Sequence, residues 1–94
     1  FPILKYTDSS NTDQFEINKP LISVGRDMKT NIITIPNSNI SRNHFSITFS
    51  NNKYSVVDNN SLNGMIINGF KLKNAELKNG DIIEIADVTF TFYL

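Results

Sequence analysis

Two arginines and a few hydroxyl and amide side chains are the residues of this sequence that could do chemistry. Arg26 and Arg42 are the only arginines, and Arg42 directly follows Ser41. A guanidinium group binds phosphate oxygens in a bidentate, charge-assisted way, and a serine hydroxyl donates one further hydrogen bond. The amide of Asn63 can pair with both the N–H and the C=O of an extended peptide backbone. Together these residue types suit a phosphate that is attached to a peptide.

The sequence offers little for catalysis or for metal binding. It contains no Cys and a single histidine, His44, which excludes a disulfide framework, a thiolate zinc site, a cysteine nucleophile and a histidine metal cluster. His44 opens an apolar strand, where a hydrogen-bonded structural histidine is the ordinary interpretation. The sequence shows no Ser, His and Asp arrangement. We therefore predict a binding protein that is not an enzyme and needs no cofactor and no metal.

Length and charge indicate how many domains the chain forms and which partners it does not favour. The chain has 94 residues, 39% of them hydrophobic, and nine acidic residues balance nine basic ones. This length suits one domain over residues 1–94, and the opening Phe-Pro-Ile-Leu, without an initiator Met or a signal-peptide profile, suggests a domain excised from a longer protein. A net charge of zero does not favour a nucleic-acid or membrane-surface binder. No apolar run is long enough to cross a bilayer.

Short alternating apolar runs predict an all-β fold. The runs alternate with period two, and turn residues interrupt them at intervals of roughly eight to twelve residues. This pattern is typical of a β-sandwich or barrel. The predicted strands are Ile3–Tyr6, Phe15–Asn18, Leu21–Val24, Ile32–Ile35, His44–Phe49, Tyr54–Val57, Met65–Ile67, Lys71–Leu72, Ile82–Ile85 and Thr89–Tyr93. Tight turns are predicted at Asn51-Asn52, Asn59-Asn60, Asn68-Gly69 and Asn79-Gly80-Asp81, with a hairpin loop over Asp8–Asp13.

These strands place Arg26, Ser41 and Asn63 in three different loops. The loops of a sandwich gather at its two ends, and loops separated by an even number of strands can share an end. One predicted strand, Ile32–Ile35, separates Arg26 from Ser41, so strand counting alone would put them at opposite ends. The loops that flank this strand are long enough to return, and the sequence leaves the question open.

Each of these residues also has an ordinary structural interpretation. Gly25 suits a turn or bulge, Arg26 a solvated surface side chain and Ser41 a turn. Asn63-Gly64 and Asn68-Gly69 suit plain hairpin turns. The functional interpretation depends on the order in which the residues follow one another.

That ordered series resembles the forkhead-associated (FHA) domain, a phosphothreonine-peptide binding module. The resemblance covers about residues 21–94 and implies an all-β fold, a two-sheet antiparallel β-sandwich of about ten to eleven strands of the SMAD/FHA-like kind. The residues that carry it are Gly25-Arg26, Ser41-x-x-His44, Asp58, Ser61-x-Asn63-Gly64, Asn68-Gly69, Leu77, Gly80-Asp81, Ile83 and Phe90.

The resemblance implies a role for each residue that matches a family position. Arg26 and Ser41 match the phosphate-binding positions, and Arg42 matches a position that often touches the phosphate or the ligand backbone. Asn63 matches the residue that hydrogen-bonds the ligand backbone. The implied structural supports of the binding loops are Gly25, His44, Gly64 and Asn68.

Leu62 departs from the family pattern. Many members have Thr or Ser here, whose hydroxyl can join the phosphate network, whereas Leu62 can only contact the ligand through apolar atoms. We expect the two arginines and Ser41 to carry more of the phosphate affinity. Members of the family prefer phosphothreonine to phosphoserine because a small pocket holds the extra methyl group. One methyl group contributes about 1–3 kcal/mol to the difference in binding free energy. The residues that could line the site for the third residue after the phosphothreonine are Met28, Lys29, Asn59 and Asn60.

The sequence thus predicts a monomeric domain, nuclear or cytoplasmic, that recruits its parent protein to a phosphothreonine-containing partner. Phosphorylation would act as the switch because it adds nearly two negative charges. The main alternative is a scaffold of the same fold that binds partners without phosphate, and Leu62 is its support. A hydrolase built on His44 lacks a visible activated nucleophile. A nucleic-acid-binding barrel lacks exposed aromatic residues on a basic groove.

Overall fold

Eleven strands form two sheets that pack face to face. The computed structural model describes residues 1–94 and contains no helix, and so none that could span a membrane. The strands are β1 (Ile3–Thr7), β2 (Thr12–Glu16), β3 (Leu21–Gly25), β4 (Ile33–Thr34), β5 (Phe45–Ser50), β6 (Lys53–Asp58), β7 (Ile66–Ile67), β8 (Phe70–Lys71), β9 (Asn74–Glu76), β10 (Ile82–Ile85) and β11 (Val88–Tyr93). One sheet has the order β2-β1-β11-β10-β7-β8 and the other β4-β3-β5-β6-β9. The predicted all-β, two-sheet sandwich is confirmed.

The core lies between the sheets and contains 19 buried hydrophobic residues. Most belong to strands of both sheets, because each strand turns every second side chain inward. The others lie in segments between strands: Ile17, Ile35, Ile40, Met65 and Leu77. The ring of Phe45 on one sheet meets the ring of Phe90 on the other edge-to-face, with centroids 5.2 Å apart. This contact is the preferred geometry of an aromatic pair and fixes the distance between the sheets.

One strand runs parallel to its neighbour, and this decides where the loops lie. β4 pairs with β3 in parallel, with Val24 opposite Ile33 and Gly25 opposite Thr34. Strand β5 returns antiparallel to β3, and β6 returns antiparallel to β5 so that Asp58 ends opposite Phe45. The segments 26–32, 35–44 and 59–65 therefore all lie at the same end of the sandwich.

Two strand predictions need correction. β9 is present although the sequence pattern does not predict it, because Asn74-Ala75-Glu76 contains one small apolar residue and no alternation. β2 begins at Thr12, and Asp13 pairs with Tyr6. The predicted hairpin loop over Asp8–Asp13 therefore starts at the right residue but ends too late, and the predicted strand over Phe15–Asn18 starts and ends too late. β2 is an edge strand with mostly exposed polar residues, so its hydrophobic signal is weak.

The predicted turns contain residues in the left-handed region. Asn51 and Asn52 have φ values of 54° and 61°, and the Asn68-Gly69 step has values of 50° and 90°. Such φ values suit the primed turns that match strand twist, for which Asn and Gly are favoured. Ala86 also has a positive φ, 52°, and nothing in its residue type predicts this.

The environment of Tyr6 predicts that the domain loses stability at high pH. Its buried hydroxyl donates a hydrogen bond to Asp8 Oδ2, and burial, followed by this bond, raises the pKa of Tyr6 from 10.0 to about 12. Because the folded state holds the proton more tightly, we expect the free energy of unfolding to fall by on the order of 2 kcal/mol as the pH rises from 10 to about 12. Urea titrations across this range should show a shallower fall for Tyr6→Phe; parallel curves would contradict the prediction.

Candidate functional site

The segments 26–32 and 35–44 are joined by backbone hydrogen bonds. The N–H of Arg26 donates to the carbonyl of Ser41 at 3.0 Å, and the N–H of Asp27 donates to the carbonyl of Arg42 at 3.3 Å. The structure therefore brings Arg26 and Ser41 together and answers the question that strand counting leaves open. The parallel pairing of β4 is the reason, because it returns the chain to the same end of the sheet.

Gly25 permits this close approach. A Cβ atom at residue 25 would lie 2.1 Å from the carbonyl oxygen of Arg42 and 2.7 Å from Asn31 Nδ2, so only glycine fits between them. The Asn31 amide fills the remaining space and donates to the carbonyls of Asp27, at 2.7 Å, and Arg42, at 2.5 Å. Gly25 thus lies where it was predicted, beneath the loops, and Asn31 is a support that the sequence analysis missed.

His44 connects segment 35–44 to segment 59–65. Its ring is fully buried; Nδ1 accepts the N–H of Ser41 at 3.0 Å, and Nε2 lies 2.8 Å from the carbonyl of Gly64. Since Nδ1 accepts, Nε2 carries the proton and donates to Gly64, which fixes the tautomer. Both nitrogens are therefore occupied by the backbone, as expected of a histidine that supports the loops and does no chemistry.

Asp58 and Ser61 fix the shape of segment 59–65. The Ser61 hydroxyl donates to Asp58 Oδ1, the Ser61 N–H donates to Oδ2 at 3.1 Å, and the Gly64 N–H donates to Ser61 Oγ at 3.0 Å. Gly64 has a φ of 67°, which glycine adopts at little cost. Sequence reasoning gave Asp58 and Ser61 no role, although an Asp three residues before a Ser is a known side-chain-to-backbone turn signal.

The Ser41 hydroxyl lies at the junction of these segments. Its oxygen accepts the N–H of Leu62 at 3.1 Å, which orients the side chain and leaves the hydroxyl hydrogen free to donate. A phosphate oxygen is a suitable acceptor for such a hydrogen. Leu62 itself is 91% exposed, so its side chain is accessible from solvent.

Both arginines have exposed side chains on the two segments that these backbone hydrogen bonds join. Arg26 Nε donates to the carbonyl of Ile40 at 3.1 Å, and its two terminal nitrogens make no hydrogen bond within the protein. Neither Arg26 nor Arg42 forms a salt bridge, since the two ion pairs of the structure join other residues. A cavity of about 580 Å³ lies between them and is lined by Arg26, Asp27, Met28, Lys29, Thr34, Pro36 and Arg42. Three cations against one carboxylate make it positive although the chain is neutral overall.

Asn63 extends the site away from the cavity. Its Nδ2 donates to the carbonyl of Asn39 at 2.8 Å, while Oδ1 has no partner in the protein. The Asn39 amide in turn donates to Asp87 Oδ1 at 2.9 Å, so the turn between β10 and β11 supports Asn63 from below. The free amide oxygen can accept a hydrogen bond from a peptide N–H. Asn39 carries no motif that would have revealed this role.

Asn68, a predicted support of the binding loops, makes no side-chain hydrogen bond to these segments. Its side chain donates to Asp81 Oδ1 at 2.9 Å and accepts the N–H of Ile82 at 2.9 Å, which ties the β7–β8 turn to β10. Its effect on the loops is therefore indirect, through β7.

Two of the four residues predicted to line a specificity site, Met28 and Lys29, line the arginine cavity, and Asn59 and Asn60 do not. Asn59 donates to Ser46 Oγ at 3.2 Å, and Asn60 adopts a turn conformation with a φ of 56°.

A comparison with protein families shows which family the chain belongs to. The FHA domain family matches residues 22–86, more than half of the chain. The chain belongs to the FHA domain family. This FHA domain is 32% identical over 79 residues to the glycogen accumulation regulator GarA of Mycobacterium tuberculosis, a match that covers 84% of the chain and 48% of GarA. The chain thus spans about half the length of the curated relatives it matches.

Solved structures of FHA domains share the fold. The FHA domain of CT664 from Chlamydia trachomatis is 25% identical, with a TM-score of 0.89 and coverage of 99% of this chain and 96% of that one. EmbR of Mycobacterium tuberculosis, solved in complex with a low-affinity phosphopeptide, is 26% identical with a TM-score of 0.84, over 97% of this chain and 24% of EmbR. The sandwich and its eleven strands are therefore those of the family.

Proposed function

We propose that this FHA domain binds phosphothreonine in an extended peptide and recruits the protein that carries it to phosphorylated partners. The observation that carries the proposal is the joining of Arg26 to Ser41 by a backbone hydrogen bond. This bond joins the segment of Arg26, whose two terminal nitrogens are free, to the segment of Ser41, whose hydroxyl hydrogen is free. A phosphate group can accept from both at once, and Arg42 supplies a second positive charge on the same cavity.

The peptide backbone has its own partner. Asn63 is held by Asn39 and directs a free amide oxygen to the surface, one residue from the Leu62 N–H that fixes Ser41. A strand-like peptide whose phosphate lies at the arginines would pass over Asn63 and Leu62. EmbR, 24% of which shares this fold, was solved in complex with a phosphopeptide, and this supports a phosphopeptide as the ligand.

The geometry favours binding over chemistry. The one histidine has both ring nitrogens occupied by backbone groups, and the Ser41 oxygen accepts from the backbone N–H of Leu62 and makes no hydrogen bond to the imidazole. A hydrolytic site needs an activated nucleophile next to a general base. We infer that the groups at this site hold a phosphate and do not remove it.

The proposal is tested with three immobilised degenerate peptide libraries, fixed at phosphothreonine, at phosphoserine or at unmodified threonine. We expect the domain to retain the phosphothreonine library, to retain the phosphoserine library about 5- to 150-fold more weakly, since one buried methyl is worth about 1–3 kcal/mol, and not to retain the unmodified one. A domain that retains the unmodified library equally well would be a scaffold that does not depend on phosphate.

A further inference from the structure

A second cleft lies beside the proposed peptide path. It has a volume of about 260 Å³ and no residue in common with the arginine cavity. Segment 59–65 forms one wall, and β8 with the chain after it forms the other. Its lining residues are Asp58, Ser61, Leu62, Gly64, Met65, Lys71, Leu72 and Lys73.

The accessible charge of this cleft is positive. Lys71 and Lys73 are exposed and form no salt bridge. The stem of Lys71 lies over Gly64, with Cε 3.1 Å from the position that a Cβ atom of Gly64 would occupy, so its ammonium group is directed along the cleft wall. Asp58 is the one carboxylate in the lining, but its side chain is only 5% exposed and both of its oxygens accept hydrogen bonds from Ser61. Two ammonium groups therefore remain for a ligand.

The cleft adjoins the Ser41 hydroxyl of the proposed phosphate site through Leu62. Leu62 belongs to the cleft lining, and its N–H donates to the Ser41 hydroxyl at 3.1 Å. An extended peptide advances about 3.3 Å per residue, so a side chain within about four positions of the phosphothreonine can enter the cleft. Leu62 and Leu72, 91% and 40% exposed, offer apolar walls for the methylene part of such a side chain.

We propose that this cleft, which we call the lysine cleft, selects an anionic side chain of the same phosphopeptide. The proposal rests on the proposed function and names the peptide class: a phosphothreonine flanked by a second negative group within about four residues. A carboxylate from Asp or Glu and the phosphate of a second phosphorylated residue share this chemistry. The apolar side chain at residue 62 then has a part in recognition, since it lines the lysine cleft while its backbone N–H donates to the Ser41 hydroxyl.

The test uses the phosphothreonine library and then single peptides that carry Glu, phosphoserine or Ala at the selected position. We expect the wild-type domain to enrich acidic residues at one position. In the variant Lys71→Gln with Lys73→Gln, the Glu and phosphoserine peptides should lose about two- to tenfold in affinity while the Ala peptide binds as before, since exposed charge pairs contribute modestly. This loss should shrink at high salt. Comparing the affinities of the Glu and phosphoserine peptides shows whether the cleft prefers a carboxylate or a phosphate.

A matched control carries Lys19→Gln with Lys78→Gln, which removes the same charge at the opposite end of the sandwich. Its affinity for all three peptides should equal that of the wild type. If the wild type binds phosphothreonine peptides but enriches no acidic residue, or enriches apolar ones, the lysine cleft proposal is wrong and the proposed function stands. If the acidic preference survives in the double variant, the proposal is also wrong. A wild type that retains no phosphothreonine peptide overturns both.

Discussion

Arg26→Ala is expected to reduce affinity for a phosphothreonine peptide by at least about 100-fold while the domain stays folded. The free terminal nitrogens of Arg26 can form two charge-assisted hydrogen bonds, each worth about 1.5–3 kcal/mol. Their loss amounts to at least about 3 kcal/mol, which is more than two powers of ten in the dissociation constant. Fluorescence anisotropy with one labelled peptide from the library measures the change, and a thermal melt checks the fold.

Two further variants make this result specific. Arg26→Lys keeps the charge but loses the planar fork, so we expect an intermediate affinity. Lys53→Ala removes a cation that pairs with Glu76 at 3.9 Å, away from the loop end, and should leave the affinity unchanged. If the alanine variant at residue 26 bound within threefold of the wild type, the phosphate would not lie where we propose.

His44→Ala is expected to have the largest effect on folding. The buried imidazole bonds the N–H of Ser41 and the carbonyl of Gly64, and its removal leaves both without a partner. A buried unsatisfied group costs about 1–3 kcal/mol, and the cavity adds to this, so we expect a loss of about 3–5 kcal/mol in the free energy of unfolding. For a domain of this size the melting temperature should fall by 12 °C or more, at about 4–8 °C per kcal/mol.

Conservative replacements at His44 test the contributions of its two hydrogen bonds one at a time. An Asn side chain can reach the Ser41 N–H in place of Nδ1, and a Gln side chain can reach the Gly64 carbonyl in place of Nε2. Each should therefore lose less stability than alanine does in urea unfolding. Peptide affinity should fall in all three variants because the ring joins two of the binding segments. Equal melting temperatures for His44→Ala and Arg26→Ala would contradict the separation of a supporting residue from a binding residue.

The sequence predicts the sandwich well because its strands alternate strongly where they face the core, as Phe45, Ile47 and the strand around Phe90 do. It does not predict how the loops assemble. That depends on β4, which is two residues long and pairs in parallel with β3, and strand direction leaves no trace in so short an apolar run. The meeting of Arg26 with Ser41 therefore becomes visible only in the structure.

In the candidate site too, some residues could be predicted from the sequence and others could not. Arg26, Ser41, Arg42 and Asn63 could be proposed because their side chains have the donors and acceptors that a phosphopeptide needs. The residues beneath them could not, because the Asn31 amide donates to the carbonyl of Arg42, 11 residues away, and the Asn39 carbonyl accepts from the amide of Asn63, 24 residues away. In a chain with so many Asn residues, nothing in their type marks these two as supports.

The pairing of the first strand with the last determines how the domain can be attached. Ile3 pairs with Tyr93, whereas the other end of β11 adjoins Asp87, which holds Asn39 among the binding segments. Both chain ends therefore emerge side by side at the end of the sandwich that faces away from the peptide site. A tag, a label or a surface linkage at either terminus keeps the binding face turned outward, so immobilised domain and immobilised peptide should report the same affinity.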